Sequence, residues 1–357
     1  MTRYLDVAVV SQLIQTIGVE QAIAGMAGYI VDDYSRWNEF EKSARIASHS
    51  SLGVIELMPT SDRKLFSFKY VNGHPKNSEK HLMTVMAFGL LAEVDTGFPL
   101  MLSEMTLTTA LRTAATSAAA ARLMARKNSQ SMAVIGCGSQ SEFQILAFKV
   151  ILGIKEFRVY DIDANAIAKL QRNLAGYEGI KIIVASSVRE AVKGADIITT
   201  VTADKTKAAI LTPDMIEAGV HINGVGGDCP GKTELHPDIL LTARVVVEYE
   251  PQARIEGDIQ QMAPDFPVIE LWKILTGAEL GRQGEAQVTI FDSVGFALQD
   301  FSSLRYLYDV SRQRNVGRII NLVPSLSDPK DLFSLLHTVS MPVPAALKVT
   351  DRVERKP

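Results

Sequence analysis

Val134-Ile135-Gly136-Cys137-Gly138-Ser139-Gln140-Ser141 decides the fold. A short buried strand, Met132–Ile135, runs into this stretch, and an apolar helical segment, Ser141–Leu152, runs out of it. A glycine pair between strand and helix has the geometry of a dinucleotide fingerprint. Gly136 permits the tight turn, and Gly138 lets the backbone approach a pyrophosphate. The helix N-terminus adds free N–H donors and the positive end of its dipole. Ser141 stands at the third glycine position and widens the helix–strand approach only slightly. Twenty-five residues after Gly136, Asp161 closes the next strand, Phe157–Tyr160. A carboxylate there accepts hydrogen bonds from the adenine-ribose hydroxyls. No arginine follows it immediately, which favours NAD over NADP.

Outward from this unit the pattern repeats. Helices are expected at Ala164–Leu174 and Ser187–Val192, with strands at Ile180–Val184, Ile197–Val201, Val220–Asn223, Val245–Val247 and Val288–Phe291. Strands alternating with helices predict βαβ units and an α/β, doubly wound Rossmann domain over residues 116–314. The chain before it differs. Leu82–Val94 and Pro99–Glu104 flank Asp95-Thr96-Gly97 as a hairpin, and Thr108 opens an Ala-rich helix running to Arg126. Residues 1–115, with about 315–350, are expected to form a second, α+β domain, on which a helix starting at Asp328-Pro329 would pack. Residues 351–357 read as a solvated tail.

Composition narrows the function. The 357 residues carry 37 Lys and Arg against 40 Asp and Glu, a net charge of −3, so no overall field draws nucleic acid or anionic lipid. Cys137 and Cys229 both lie in glycine-rich loops and cannot form a disulfide framework. The N-terminus lacks a signal-peptide pattern, and no run of ~18 residues is uniformly apolar. The expectation is a cytoplasmic protein with neither membrane nor nucleic-acid partner. Its six histidines lack metal-ligand spacing, so no metal is expected.

Gly226-Gly227-Asp228-Cys229-Pro230-Gly231-Lys232-Thr233 matches the phosphate-loop pattern letter for letter. Such a loop needs a long helix starting at its lysine, yet Pro237 comes four residues after Thr233. Asp228 would also aim a carboxylate at the phosphates. The match therefore predicts no nucleotide hydrolysis. Asp228 follows a strand at the carboxyl edge of the sheet, where it is a candidate general base; a turn-capping aspartate is the bland alternative. Arg45, Lys69 and Arg112 form a cationic group in or beside the first domain. Arg112 sits in the first turns of its helix, a ready anion site, and arginine grips a carboxylate through two parallel hydrogen bonds. The group suits an amino-acid substrate, although each member alone reads as a solvated charge.

Three stretches occur in order: Ala110-Leu111-Arg112-Thr113-Ala114-Ala115, Ile135-Gly136-Cys137-Gly138-Ser139-Gln140 and Asn223-Gly224-Val225-Gly226-Gly227-Asp228. With Phe68-Lys69-Tyr70-Val71-Asn72-Gly73, the chain resembles the ornithine cyclodeaminase/mu-crystallin family over about residues 30–315. The resemblance implies a lyase that turns L-ornithine into L-proline and ammonia, with NAD recycled through an internal hydride relay. It implies Arg45, Lys69 and Arg112 on the substrate carboxylate, Asp228 moving amine protons, Glu56 near an amino group and Val294 at the substrate. Thr84, Gly136, Gly138, Ser139, Gln140, Asp161, Thr202, Lys232 and Ser293 would line the cofactor. A homodimer formed through the first domain is also implied. The same scaffold serves three neighbouring chemistries, a ketimine reductase, an amino-acid dehydrogenase and a lysine cyclodeaminase, and also a mu-crystallin-like binding protein.

Overall fold

In the computed structural model, residues 1–203 and 207–337 are described. The chain opens with β1 (Thr2–Leu5), α1 (Val7–Ile17) and α2 (Val19–Ser35). Four antiparallel strands follow: β2 (Ile46–Ser50), β3 (Gly53–Ser61), β4 (Leu65–Gly73) and β5 (Val85–Glu93). A turn at Gly97 (φ 70°) leads into β6 (Pro99–Glu104), and α3 (Thr106–Met124) comes next. The hairpin and the Ala-rich helix thus form where the sequence predicts them.

From β7 (Ser131–Ile135) the chain alternates: α4 (Ser141–Leu152), β8 (Glu156–Tyr160), α5 (Ala164–Leu174), β9 (Lys181–Val184), α6 (Val188–Val192) and β10 (Ile197–Thr200). After β11 (Lys207–Leu211) come β12 (His221–Gly224), β13 (Thr233–Leu235), α7 (Pro237–Thr242), β14 (Arg244–Val247) and α8 (Glu250–Glu256). The described chain closes with β15 (Ile269–Glu270), α9 (Leu271–Leu275), β16 (Thr289–Asp292), α10 (Ala297–Gln313) and β17 (Arg318–Ile320).

Two large sheets result. The first has the order β17-β1-β6-β5-β4-β3-β2. The second is wholly parallel, ordered β15-β14-β16-β12-β10-β7-β8-β9, so the chain reverses its winding direction between β7 and β10. Ligands of doubly wound sheets sit in the crevice at that reversal, beyond the carboxyl ends of the strands. Its central strands are short and buried on both faces because helices cover them; β7 and β10 are buried throughout.

α10 leaves the last parallel strands and packs back on α2, α3 and β3–β5 of the first sheet. It is amphipathic in place, burying Leu298, Phe301, Leu304 and Leu307. This helix therefore carries residues from the crevice into the first layer. The helix expected at Asp328-Pro329 does not form. A single exposed 3₁₀ turn, Leu332–Leu336, stands there, capped by Asp331; the return to the first layer is made by β17, antiparallel to β1. The tail expected at 351–357 lies outside the described residues. Among the described residues no single helix is long and apolar enough to cross a membrane.

Candidate active site

Gly136 adopts φ 101°, and a Cβ there would lie 2.8 Å from the Val201 carbonyl oxygen, so only glycine fits. A Cβ on Gly138 would meet open space. The loop is pinned from below: Cys137 N–H donates to Asp161 Oδ2 (2.6 Å), and Asp163 N–H donates to Asp161 Oδ1 (2.9 Å). Asp161 thus joins the fingerprint turn to the end of β8. The Ser141 hydroxyl donates to the Gly138 carbonyl (2.8 Å), filling the third glycine position with a bond. Ser139 is exposed, and Gln140 holds a buried Oε1 with no protein partner at the start of α4. Open backbone, an unpartnered buried amide and a helix N-terminus at the reversal fit a dinucleotide.

The second glycine-rich loop is built otherwise. β13 begins at Thr233, directly after Lys232, so the phosphate-loop match lacks its helix. Glu234, buried in β13, accepts from Gly226 N–H (2.9 Å), Thr202 N–H (2.9 Å) and the Thr202 hydroxyl (2.5 Å). Lys232 Nζ donates to the Thr202 carbonyl (2.9 Å) and to Asp228 Oδ1 (3.2 Å). Asp228 is half exposed. Asp258 accepts from Glu234 and Leu235 N–H (2.8 and 2.9 Å), and Asp292 accepts from Asp258 and Ile259 N–H. Burial pushes the Asp258 carboxyl up to about 7, with the Glu234 charge adding to the rise, and pushes Asp292 well above its ordinary range, with the Asp258 charge adding there. Three carboxyls in series thus tie the Asp228 loop to the sheet.

The first sheet and α10 supply a cationic pole. Lys69 Nζ lies 2.7 Å from Asp300 Oδ2, and Arg112 Nε donates to Asp300 Oδ1 (2.9 Å). Arg112 Nη1 donates to Gln299 Oε1 (2.8 Å). Burial, with Arg112 second, pushes the Lys69 ammonium down to about 7. The predicted anion site at the start of α3 is already filled. Glu104 accepts from the Leu107 and Thr108 N–H groups (3.0 and 3.2 Å), so Arg112 acts through its side chain and not through the helix end.

The opposite pole is acidic. Arg45 Nη1 donates to Glu56 (3.0 Å), and Arg45 Nε lies 3.1 Å from Glu256 Oε2. Arg45 Nη2 donates to the carbonyls of Val294 (2.8 Å) and Gly295 (2.7 Å). Burial pushes the Glu256 carboxyl up to about 7; Glu56 and Asp228 add to the rise while Arg45 opposes it. Glu248, wholly buried, accepts from the Ser293 hydroxyl (2.7 Å), Val294 N–H, Gly295 N–H and Gln299 Nε2. It holds the Ser293–Gly295 turn against both poles, where a Cβ on Gly295 would lie 2.9 Å from Arg112 Nη1.

The structure therefore gathers Arg45, Glu56 and Val294 into one bonded group, Lys69 and Arg112 into a second, and Thr202, Asp228 and Lys232 into a third. Thr84 stays outside these groups: it is exposed before β5, its carbonyl accepting from His74 N–H (2.9 Å). Sequence reasoning missed Glu234, Glu248, Glu256, Gln299 and Asp300. Glu248 carries a usable signal, since it follows the apolar strand Val245–Val247 at the carboxyl edge. Asp300 sits inside the apolar run Phe296–Phe301, where a solvated acid is out of place.

A doubly wound parallel sheet with a glycine turn at its reversal, walled by a second sheet, defines an α/β protein of the dinucleotide-binding type. The chain belongs to the ornithine cyclodeaminase/mu-crystallin family, whose sequence pattern matches residues 7–315. It is 55% identical over 333 residues to the ornithine cyclodeaminase of Agrobacterium fabrum, covering 93% of this chain and 94% of that one. Among solved structures it is similar to a lysine cyclodeaminase described with L-lysine, L-ornithine and L-2,4-diaminobutyric acid (TM-score 0.87, 27% identity, 94% and 99% covered). It is also similar to an archaeal alanine dehydrogenase dimer with bound NAD (TM-score 0.82, 31% identity, 90% and 99% covered).

Proposed function

We propose that this protein is an NAD-dependent cyclising deaminase that converts L-ornithine to L-proline and ammonia. The observation that carries the reading is the division of charge in the site. Lys69 and Arg112 face a single carboxylate, whereas Glu56, Glu256 and Asp228 surround a single guanidinium. A diamino acid has one carboxylate for the first pole and amines for the second. Bound NAD would supply the hydride chemistry, serving as acceptor at the substrate α-carbon and as donor at the ring imine. Gly136, Gly138, Ser139, Gln140 and Asp161 would hold it at the reversal, with Thr84, Thr202, Lys232 and Ser293 along the crevice.

The protein's own work is binding and proton handling. Arg112 and Lys69 fix the carboxylate, and Arg45 closes the site from the Val294 side. Asp228 takes a proton from a substrate ammonium, because a protonated amine neither releases hydride readily nor attacks an imine. Glu56 and Val294 steady the chain so that the δ-amine lies over the α-carbon, making ring closure intramolecular, a gain of up to ~7 kcal/mol when alignment is good. Residues 1–115 with about 315–350 would form the substrate-binding and dimerisation domain and 116–314 the NAD-binding domain, with α10 as shared wall. The first sheet exposes Ile46, Ile55, Leu57, Phe66 and Phe88, an apolar face that a second copy would cover.

Ornithine deuterated at the α-carbon tests the relay. Proline should retain the label in ordinary water, with no net NADH. Loss of label, or NADH accumulating with turnover, overturns the reading in favour of a net oxidoreductase.

A further inference from the structure

Lys69 sits mid-strand in β4, opposite Met58 on β3 and Gly89 on β5, neither of which offers it charge. The charged groups facing it are Asp300 from α10, Arg112 from α3 and Arg45 from the segment before β2. Burial and both guanidiniums oppose its protonation, and Asp300, 2.7 Å away and itself buried, is what favours it. A guanidinium is a permanent cation and an ammonium is not, so the pole has one fixed charge and one that can be lost. Asp300 also occupies the Nε edge of Arg112 while Gln299 takes an Nη1 hydrogen, which turns the remaining guanidinium edge toward Gly295.

We propose that Asp300 is a positioning residue that holds Lys69 in its ammonium form, making Lys69 the protonation-gated half of the substrate-carboxylate anchor. The proposal rests on the reading of this pole as the carboxylate site. Its pH consequence has a definite sign: the anchor is complete at low pH and loses Lys69 as pH rises through the value that Asp300 sustains. Without the Asp300 charge that loss moves to lower pH.

Calorimetric titration of the NAD-loaded protein with pentanoate tests this independently of turnover. Pentanoate has the substrate's carbon-chain length, no amine, and a carboxylate ionised throughout above about pH 6. In the wild type its Kd should rise by about tenfold on the alkaline side. In Asp300→Asn the rise should begin at lower pH, leaving binding up to about fivefold weaker at pH 7 and approaching wild type toward the acid end. Asp300→Glu should restore the wild-type profile. An unchanged profile in Asp300→Asn, or a wild-type Kd flat with pH, overturns the proposal. If Asp300→Asn does not fold, Lys69→Gln replaces it: binding should be weak and flat, and a surviving alkaline rise overturns the proposal. Absence of any pentanoate binding overturns the carboxylate anchor itself. Absence of proline formation overturns the reaction and leaves this profile to stand on its own.

Discussion

Two glycine-rich loops leave the same edge of the parallel sheet and use their backbone N–H groups in opposite ways. After β7, residues 136–140 feed α4, and a Cβ at Gly138 would meet nothing. After β12, residues 225–232 feed a strand, and Glu234 already takes the Gly226 N–H and both Thr202 donors. The first loop has donors to give an anion. The second spends Gly226 N–H on Glu234 and leaves the Asp228 side chain half exposed, paired with a buried Lys232. Glycine content does not separate the two; the element that follows does, because a helix start leaves N–H groups unpaired and a strand does not.

The largest effect expected from this difference is at Asp228. Asp228→Asn keeps the size and an acceptor toward Lys232 but cannot take a proton, so turnover should drop by ~100-fold or more while NAD affinity and melting temperature hold. If Asp228 is only a loop residue paired with Lys232, the variant keeps most of its activity. Steady-state proline formation beside a thermal melt separates these outcomes.

Matched substitutions in the two loops come next in size. Gly136→Ala forces a Cβ against the Val201 backbone at positive φ, so it should cost ~2–3 kcal/mol of stability and NAD binding with it. Gly231→Ala also has positive φ (82°) but meets open space, so only the conformational cost of ~1 kcal/mol is expected. Denaturant midpoints with equal slopes check both. Equal losses would erase the distinction drawn between the loops.

The parallel layer was largely readable in sequence because its strands are short apolar runs such as Met132–Ile135 that alternate with helices. The first layer was less so: β3 and β4 alternate, but their outward face carries Ile55, Leu57 and Phe66, which blurs the two-residue period. In the site, Arg112 and Asp228 were legible through local motifs. Asp300, Gln299 and Glu256 were not, since their partners lie as far as 231, 265 and 211 residues away in sequence and only α10 and α8 bring them together.

The smallest effect tests the first loop alone. Asp161 accepts from Cys137 N–H, and in the function proposed above its charge also faces the cofactor, where it would repel a 2′-phosphate. Wild-type protein should therefore bind NAD at least about tenfold tighter than NADP, or ~1.4 kcal/mol. Asp161→Asn removes the charge and can keep the acceptor for Cys137, so NADP should gain while NAD changes little. Asp161→Ser removes both, so the preference should narrow through a loss of NAD affinity as well. Fluorescence titration of both cofactors against the three proteins reads the two duties separately. If Asp161→Asn and Asp161→Ser behave alike, the carboxylate acts by charge only, and the bond to Cys137 contributes nothing to the shape of the loop.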